Sequence, residues 1–164
     1  MKRLLVVAAL AVLAAAPARA AEQKQPCNRT IAKHAITATK LRMKLLGPDA
    51  VRVSPSSASQ VVCWDFTRDG RMDLAVTIAS GGTAGDVGFA VFRRTPAGWR
   101  VALTRDGYKL GLFRVRGDFV SSQPVYRKDD PNCCPTGGFD HLRFHWNGTR
   151  FLVARSWHTR SFKP

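Results

Sequence analysis

Three aspartates within nine residues of a strongly basic chain are the first side chains that offer chemistry. They lie in the stretch 61–76, VVCWDFTRDGRMDLAV, where Asp65, Asp69 and Asp73 alternate with Thr67 and Arg71. Counted from Asp65, oxygen-bearing side chains fall at positions one, three, five and nine. Gly70 at position six permits the sharp turn that folds them around one point, and the backbone carbonyl of Arg71 adds another oxygen. Calcium takes six to eight hard oxygen ligands at about 2.3–2.6 Å. The loop is therefore a candidate calcium site with Asp65, Thr67, Asp69, Arg71 (by its carbonyl) and Asp73 as ligands. Several features oppose this. Thr67 stands where Asp or Asn is usual, and Val76 replaces the bidentate acid of a full twelve-residue loop. Arg68 and Arg71 would each repel an ion ~8 Å away by roughly 1 kcal/mol. In the competing arrangement Asp65 and Asp73 pair with those arginines, and Asp69-Gly70 makes a hairpin turn.

Cysteine is the second source of chemistry. Cys27, Cys63, Cys133 and Cys134 make an even count, which in an exported chain favours two disulfides. Adjacent residues lie ~3.8 Å apart across a trans peptide, less than the usual Cα spacing of a disulfide, ~4.4–6.8 Å. The expectation is that Cys133 and Cys134 each reach a different partner, Cys27 and Cys63. A vicinal Cys133–Cys134 bridge acting as a redox switch is the alternative. No CxxC pair supports a metal–thiolate site.

Export is written at the N-terminus. Lys2 and Arg3 precede an apolar run over residues 4–16 and then Ala18-Arg19-Ala20, the order of a secretory signal cleaved after Ala20. No cysteine stands at that point to take a lipid. Residues 21–164 suffice for a single disulfide-linked domain. Losing Lys2, Arg3 and Arg19 would lower the formal charge of +15 by three. A secreted protein so cationic is attracted to phosphate-bearing wall glycans, acidic lipids or nucleic acid.

The elements that must hold these groups read as one helix followed by strands. Residues 28–46, NRTIAKHAITATKLRMKLL, place Arg29, Lys33, Lys40 and Lys44 in one arc at 100° per residue, before Gly47-Pro48. From residue 60 to 158, strand-like runs recur between turns, eight in all: 61–66, 74–79, 87–93, 99–104, 110–115, 119–125, 142–146 and 151–157. The fold class expected is α+β or mainly β, one N-terminal helix packed on an antiparallel sheet or sandwich of about eight strands. Asn147-Gly148 is read as a two-residue hairpin turn pairing Phe144 with Phe151 and Leu142 with Val153. That register puts His141, Arg143, His145 and Arg150 on the outer face. Arg143, His145 and Arg150 are then candidate polyanion contacts, and His141 and His145, ~13 Å apart along a strand, are expected to be exposed.

Familiar catalytic patterns are missing: the chain has no GxSxG, no HExxH and no Walker sequence. The glycine-rich run 80–86, SGGTAGD, leads into a strand rather than a helix N-terminus, so it does not read as a phosphate cradle. The aromatics fall mainly on expected core faces, which argues against a stacking platform for single-stranded nucleic acid.

Three stretches carry a resemblance: CWDFTRDGRMDLAV from Cys63, GGTAGDVGFAVFRRTPAGWRVAL from Gly81, and PVYRKDDPNCCPTGGFDHLRFHWNGTRF from Pro124. The chain resembles the LppP/LprE family of actinobacterial exported envelope proteins, many of them lipoproteins, here without a lipobox cysteine. The resemblance implies an envelope protein and supplies no catalytic residues. The expected function is a secreted or cell-envelope, non-enzymatic binding module for anionic envelope polymers or an envelope partner protein. Two alternatives are a wall-directed hydrolase using Asp118 or Asp140, and a protein inhibitor presenting the loop 128–138.

Overall fold

The computed structural model describes residues 26–164, and the leader expected over residues 1–20 lies outside them. One helix, α1 (Arg29–Thr39), is followed by ten strands: β1 (Arg42–Lys44), β2 (Ala50–Arg52), β3 (Ala58–Trp64), β4 (Asp73–Ala79), β5 (Asp86–Thr95), β6 (Gly98–Asp106), β7 (Gly111–Val115), β8 (Asp118–Pro124), β9 (Phe139–Trp146) and β10 (Phe151–Thr159). No described helix is long and apolar enough to cross a membrane. The eight strands expected are all present, and β1 and β2 are additional.

The helix is shorter than the expected 28–46. Asn28 caps it, its side-chain oxygen accepting from the Ile31 N–H at 3.1 Å. Lys40 ends it in the left-handed region at φ 49°, where the Leu41 N–H donates to the Ile36 carbonyl. Thr37 and Thr39 weaken the last turn, since their hydroxyls donate back to the Lys33 and Ala35 carbonyls. Beyond Lys40 the burial period changes to two: Leu41 and Met43 are buried while Arg42 and Lys44 are exposed. The same residues fit a helical wheel, which is why the sequence pattern ran on.

β3, β4, β5 and β6 form one antiparallel sheet in chain order, and β7 to β10 form a second. Leu74, Val76, Ile78, Ala90 and Phe92 point to one side of the first sheet, against Ala32, Ala35 and Ile36 of the helix and Met43 of β1. Ala75, Phe89 and Val91 point to the other, against Leu112, Phe119, Phe144 and Phe151 of the second sheet. The result is three layers, helix on sheet on sheet. Phe119 lies at the centre of the second core, its ring 5.0 Å from that of Phe144 and 5.3 Å from that of Phe66. Gly88 on β5 makes room for the β1–β2 ribbon: a Cβ there would sit 2.8 Å from Leu45 Cδ2 and 2.9 Å from the Arg105 carbonyl oxygen.

Two further expectations change. Phe151 pairs with Trp146 and Val153 with Phe144, so residues 147–150 form a four-residue loop. Asn147 Oδ1 organises it by accepting from the Thr149 N–H at 3.0 Å and the Arg150 N–H at 2.9 Å. Next to the loop the register moves by two residues, which keeps each side chain on its expected face; past the irregularity between Val153 and Arg155 it moves by three, so Trp157 pairs with His141 and stacks on it on the outer face. The disulfides also differ: Cys27 pairs with Cys63, and Cys133 pairs with Cys134. Topology decides this, since the residue before the helix cap lies beside β3, with Cα atoms 5.8 Å apart.

Gln60 joins the two sheets where the β3 edge meets β7. Its Nε2 donates to the Leu112 carbonyl at 2.5 Å, and its Oε1 accepts from the Leu112 N–H at 2.8 Å. The side-chain amide thus fills the place of a missing strand. Q60A would leave both Leu112 groups without their partner and should cost about 2–3 kcal/mol, read as a lowered midpoint in urea unfolding. A loss under about 0.5 kcal/mol would show that water replaces the amide and that apolar packing alone joins the sheets.

Candidate functional site

The acidic loop between β3 and β4 closes on its own backbone. Asp65 accepts from the N–H groups of Asp69 at 3.0 Å and Gly70 at 2.9 Å. Asp73 accepts from the Thr67 N–H at 2.8 Å and, across the sheet, from the Arg94 N–H at 3.1 Å. Asp69 accepts from the Arg71 N–H at 3.0 Å and meets the Arg93 guanidinium at 3.4 Å. Arg68, at φ 58°, and Gly70, at φ 80°, make the turn. The competing sequence arrangement paired Asp65 and Asp73 with Arg68 and Arg71. Instead both take backbone N–H groups, and it is Asp69 that meets arginines. No three His, Cys, Asp or Glu side chains among the described residues stand close enough to hold a metal ion.

On the outer face of the second sheet, Asp118 is buried and gathers two of the proposed polyanion contacts. Arg143 approaches it at 2.6 Å and 2.7 Å, and His145 Nδ1 at 3.0 Å. Arg143 and His145 therefore serve as local partners of a buried carboxylate. Arg150 sits apart and exposed in the β9–β10 loop.

His141 is fully buried, contrary to the exposure expected. Trp157 and Thr159 of β10 close over it, ahead of the C-terminal tail. Phe162 packs its ring 5.6 Å from that of Phe113 and 5.3 Å from that of Phe139. The His141 ring stacks on Trp157, with Nδ1 2.7 Å from Ser122 Oγ and Nε2 2.7 Å from Thr159 Oγ1. Thr159 Oγ1 in turn donates to the Ser161 carbonyl at 2.7 Å. One proton arrangement satisfies every group: the Ser122 hydroxyl donates to Nδ1, and Nε2–H donates to Thr159. This is a neutral imidazole, and burial holds its pKa below the ordinary value.

A broad concavity lies beside this tail. The β8–β9 loop begins where the Val125 N–H meets the Gly138 carbonyl at 2.9 Å and the Gly137 N–H meets the Val125 carbonyl at 3.0 Å. A Cβ on Gly137 would strike Val125, and one on Gly138, at φ 81°, would strike the Thr159 carbonyl. Asp130 fastens the loop from within, accepting from the N–H groups of Arg127 and Thr136 and from the Thr136 hydroxyl, each at 2.7 Å. Those donors, the Thr136 N–H foremost, hold the Asp130 carboxyl below its usual pKa. Asn132 fastens it from outside: its side chain takes the Tyr108 hydroxyl, and its carbonyl takes Lys109 Nζ and the Tyr126 hydroxyl. Between this loop and the end of β10 opens a cleft of about 730 Å³. Its cations are Arg127 and Arg160, and His158, Thr136 and Thr159 add polar wall. His158 Nδ1 stands 2.8 Å from Asp140, while Arg127 and Arg160 form no ion pair among the described residues.

Sequence reasoning had drawn attention to the 128–138 loop but missed Arg127, His158 and Arg160 as a group. Only the β9–β10 register brings the chain's last strand alongside that loop. Comparison with protein-family models, with curated proteins and with solved structures finds no match in any of the three.

Two buried titrating groups act on stability in opposite directions. Asp73 is pushed up to about 6 by burial, which outweighs its N–H donors. Its folded pKa exceeds the unfolded 3.8, so the native state binds the proton more tightly. Stability from this group rises as pH falls from about 6 to about 4, by up to ~3 kcal/mol. His141 has a depressed folded pKa, so its contribution is present above the unfolded 6.5 and is lost on acidification. D73N removes the first effect and exposes the second. Urea midpoints of D73N should therefore fall more steeply than wild type between about pH 6.5 and pH 4. Parallel curves would show that Asp73 titrates normally.

Proposed function

We propose that the protein is an exported cell-envelope binding module, without catalytic chemistry, that takes anionic envelope polymers in the cleft beside the β8–β9 loop. The carrying observation is the placement of Arg127 and Arg160, whose guanidinium groups form no ion pair among the described residues, around an open cavity with a polar wall. Guanidinium groups suit phosphate or carboxylate oxygens because their N–H forks meet two oxygens at once. A cleft open to solvent lets a polymer pass through, whereas a small substrate would need enclosure. The Cys27–Cys63 bridge fits an oxidising compartment outside the cytoplasm. The likeness to LppP/LprE proteins belongs to the same proposal.

Neither alternative gains a comparable observation. Asp118 is tied to Arg143 and His145, while Asp140 lies opposite Gln123 on the far half of β8, roughly 16 Å along the strand from Asp118. An acid pair would have to face across one cavity. The 128–138 loop is firmly held, as an inhibitor's loop would be, but it presents no large apolar side chain to fill a partner's pocket.

Binding of long-chain polyphosphate, followed by isothermal titration, tests the reading. R127A/R160A should weaken it ~10-fold or more and flatten its salt dependence. R150A should leave it unchanged. Equal binding by R127A/R160A and wild type would remove the cleft from the proposal.

The acidic loop, in this reading, is a turn clamped by N–H donors. Calcium could enter only by drawing Asp65, Asp69 and Asp73 away from those donors. Millimolar calcium should leave the thermal midpoint within about 1 °C, whereas a saturable rise of about 4 °C, roughly 1 kcal/mol, absent from D65N, would restore the loop as a metal site.

A further inference from the structure

The two disulfides do different mechanical work. Cys27–Cys63 ties the start of α1 to β3 across 36 residues, and Cys63 packs against the helix-side core. Cys133–Cys134 joins neighbours in sequence, with Cα atoms 3.8 Å apart. A cross-link that encloses no chain removes almost no freedom from the unfolded state, so it adds almost nothing through chain entropy. Both its cysteines are exposed. The loop that carries them is held by other bonds: Asp130 to Arg127 and Thr136, Asn132 to Tyr108, Lys109 and Tyr126, and the Cys134 N–H to the Pro131 carbonyl at 2.9 Å. None of these bonds uses a sulfur atom.

We propose that Cys133–Cys134 is a thiol-exchange site, opened by an external dithiol and closed again by the disulfide form of such a reagent, while the fold and Cys27–Cys63 persist. The proposal stands on the loop alone and does not require the anion-binding cleft. In the first step one thiolate of the dithiol attacks a sulfur of the pair. The Cys133–Cys134 bond breaks, a mixed disulfide forms, and the released cysteine thiolate takes up a proton. In the second step the other thiol of the reagent, losing its proton, attacks its own sulfur in the mixed disulfide. Two cysteine thiols are left, and the reagent departs as a disulfide. Two electrons and two protons pass to the protein. A monothiol would serve poorly, because the freed neighbour in the pair stands beside the mixed disulfide and expels it. A dithiol resolves that intermediate within one molecule. The loop's own cations, Arg127 and Lys128, and Lys109 beneath it favour an approaching thiolate. Of its two acids, Asp130 is already engaged by three donors, which leaves Asp129 in opposition.

The test treats native oxidised protein with limiting dithiothreitol, blocks thiols with N-ethylmaleimide at intervals, and maps the labelled peptides by mass spectrometry. Cys133 and Cys134 should be labelled together, ~10-fold or more faster than Cys27 and Cys63. The circular dichroism spectrum and thermal midpoint should be unchanged after that phase, and removal of the reagent in air should restore the bond. C133S/C134S should fold with the same midpoint and lose the fast phase. The proposal fails if all four cysteines are labelled in one phase or if Cys27 and Cys63 react first. It fails equally if fold is lost with the first labels, or if the unreduced map pairs Cys133 or Cys134 elsewhere.

Discussion

The structure depends on covering both faces of the β4–β5 pair. Leu74 through Ile78 and Val87 through Phe92 are buried without a break, so neither face of these strands is left for water. An antiparallel sheet usually alternates apolar and polar side chains because one face is solvated. Here the residues between the large apolar ones are Ala75, Thr77 and Ala90, small enough for a second layer to approach. The helix and the β1–β2 ribbon take one face, and the second sheet takes the other. Thr77, the polar member of the run, is satisfied where it lies: its hydroxyl donates to Asp86 at 2.6 Å and accepts from the Gln60 N–H at 2.9 Å. A buried hydroxyl left unpaired at that point would cost more than its side chain gains.

The acids of this basic chain follow from the same constraint. Strands buried on two faces must end abruptly, and their terminal backbone groups need acceptors where water is scarce. Asp73 supplies one at the β3–β4 turn, while Asp65 and Asp130 take N–H groups in the same way in more exposed loops. Asp118 works differently, as a buried anion matched by Arg143 and His145. Much of the positive charge also has structural work. Arg114 lies 4.1 Å from the Trp64 ring centroid and Arg94 4.9 Å from that of Trp99, so guanidinium groups cover aromatic surface at sheet margins. Formal charge therefore overstates the cationic surface free to meet a polyanion.

What was legible in the sequence follows what is local. Eight strands could be read because alternation and turn residues act over a few positions. The face assignments next to the β9–β10 loop were right even though the register was displaced, since a displacement of two preserves the pleat; past the β10 bulge the displacement is three, and no local signal marked that bulge. The helix boundary was not legible, because Leu41, Met43 and Leu45 satisfy a period of 3.6 and a period of two equally over so short a run. The disulfide pairing was not legible either. Spacing rules rank an adjacent pair as unfavourable in isolation, but which cysteines can meet is decided by where strands from distant parts of the chain lie. His141 looked exposed because its strand face is exposed elsewhere; here Trp157 and Thr159 of β10 close over it, a consequence of the β10 bulge. Arg127 and Arg160 were invisible as a pair for a similar reason, being separated by the whole of β9 and β10.

That separation bears on how the cleft is made. One wall is a loop whose shape is fixed by its own hydrogen bonds, and the other is the end of β10, an edge strand with a single neighbour. Edge strands present unpaired backbone groups and are liabilities unless managed. β10 is irregular between Val153 and Arg155, where its register shifts; its outer half carries Arg155 and His158, and Arg160 follows directly after it. A bulged, charged edge resists pairing with another copy of itself, and the same charges lie where the β8–β9 loop turns back. Guarding the edge against strand addition and lining the cleft thus share His158 and Arg160. The cleft comes with little added cost to a fold that already had to guard its last strand.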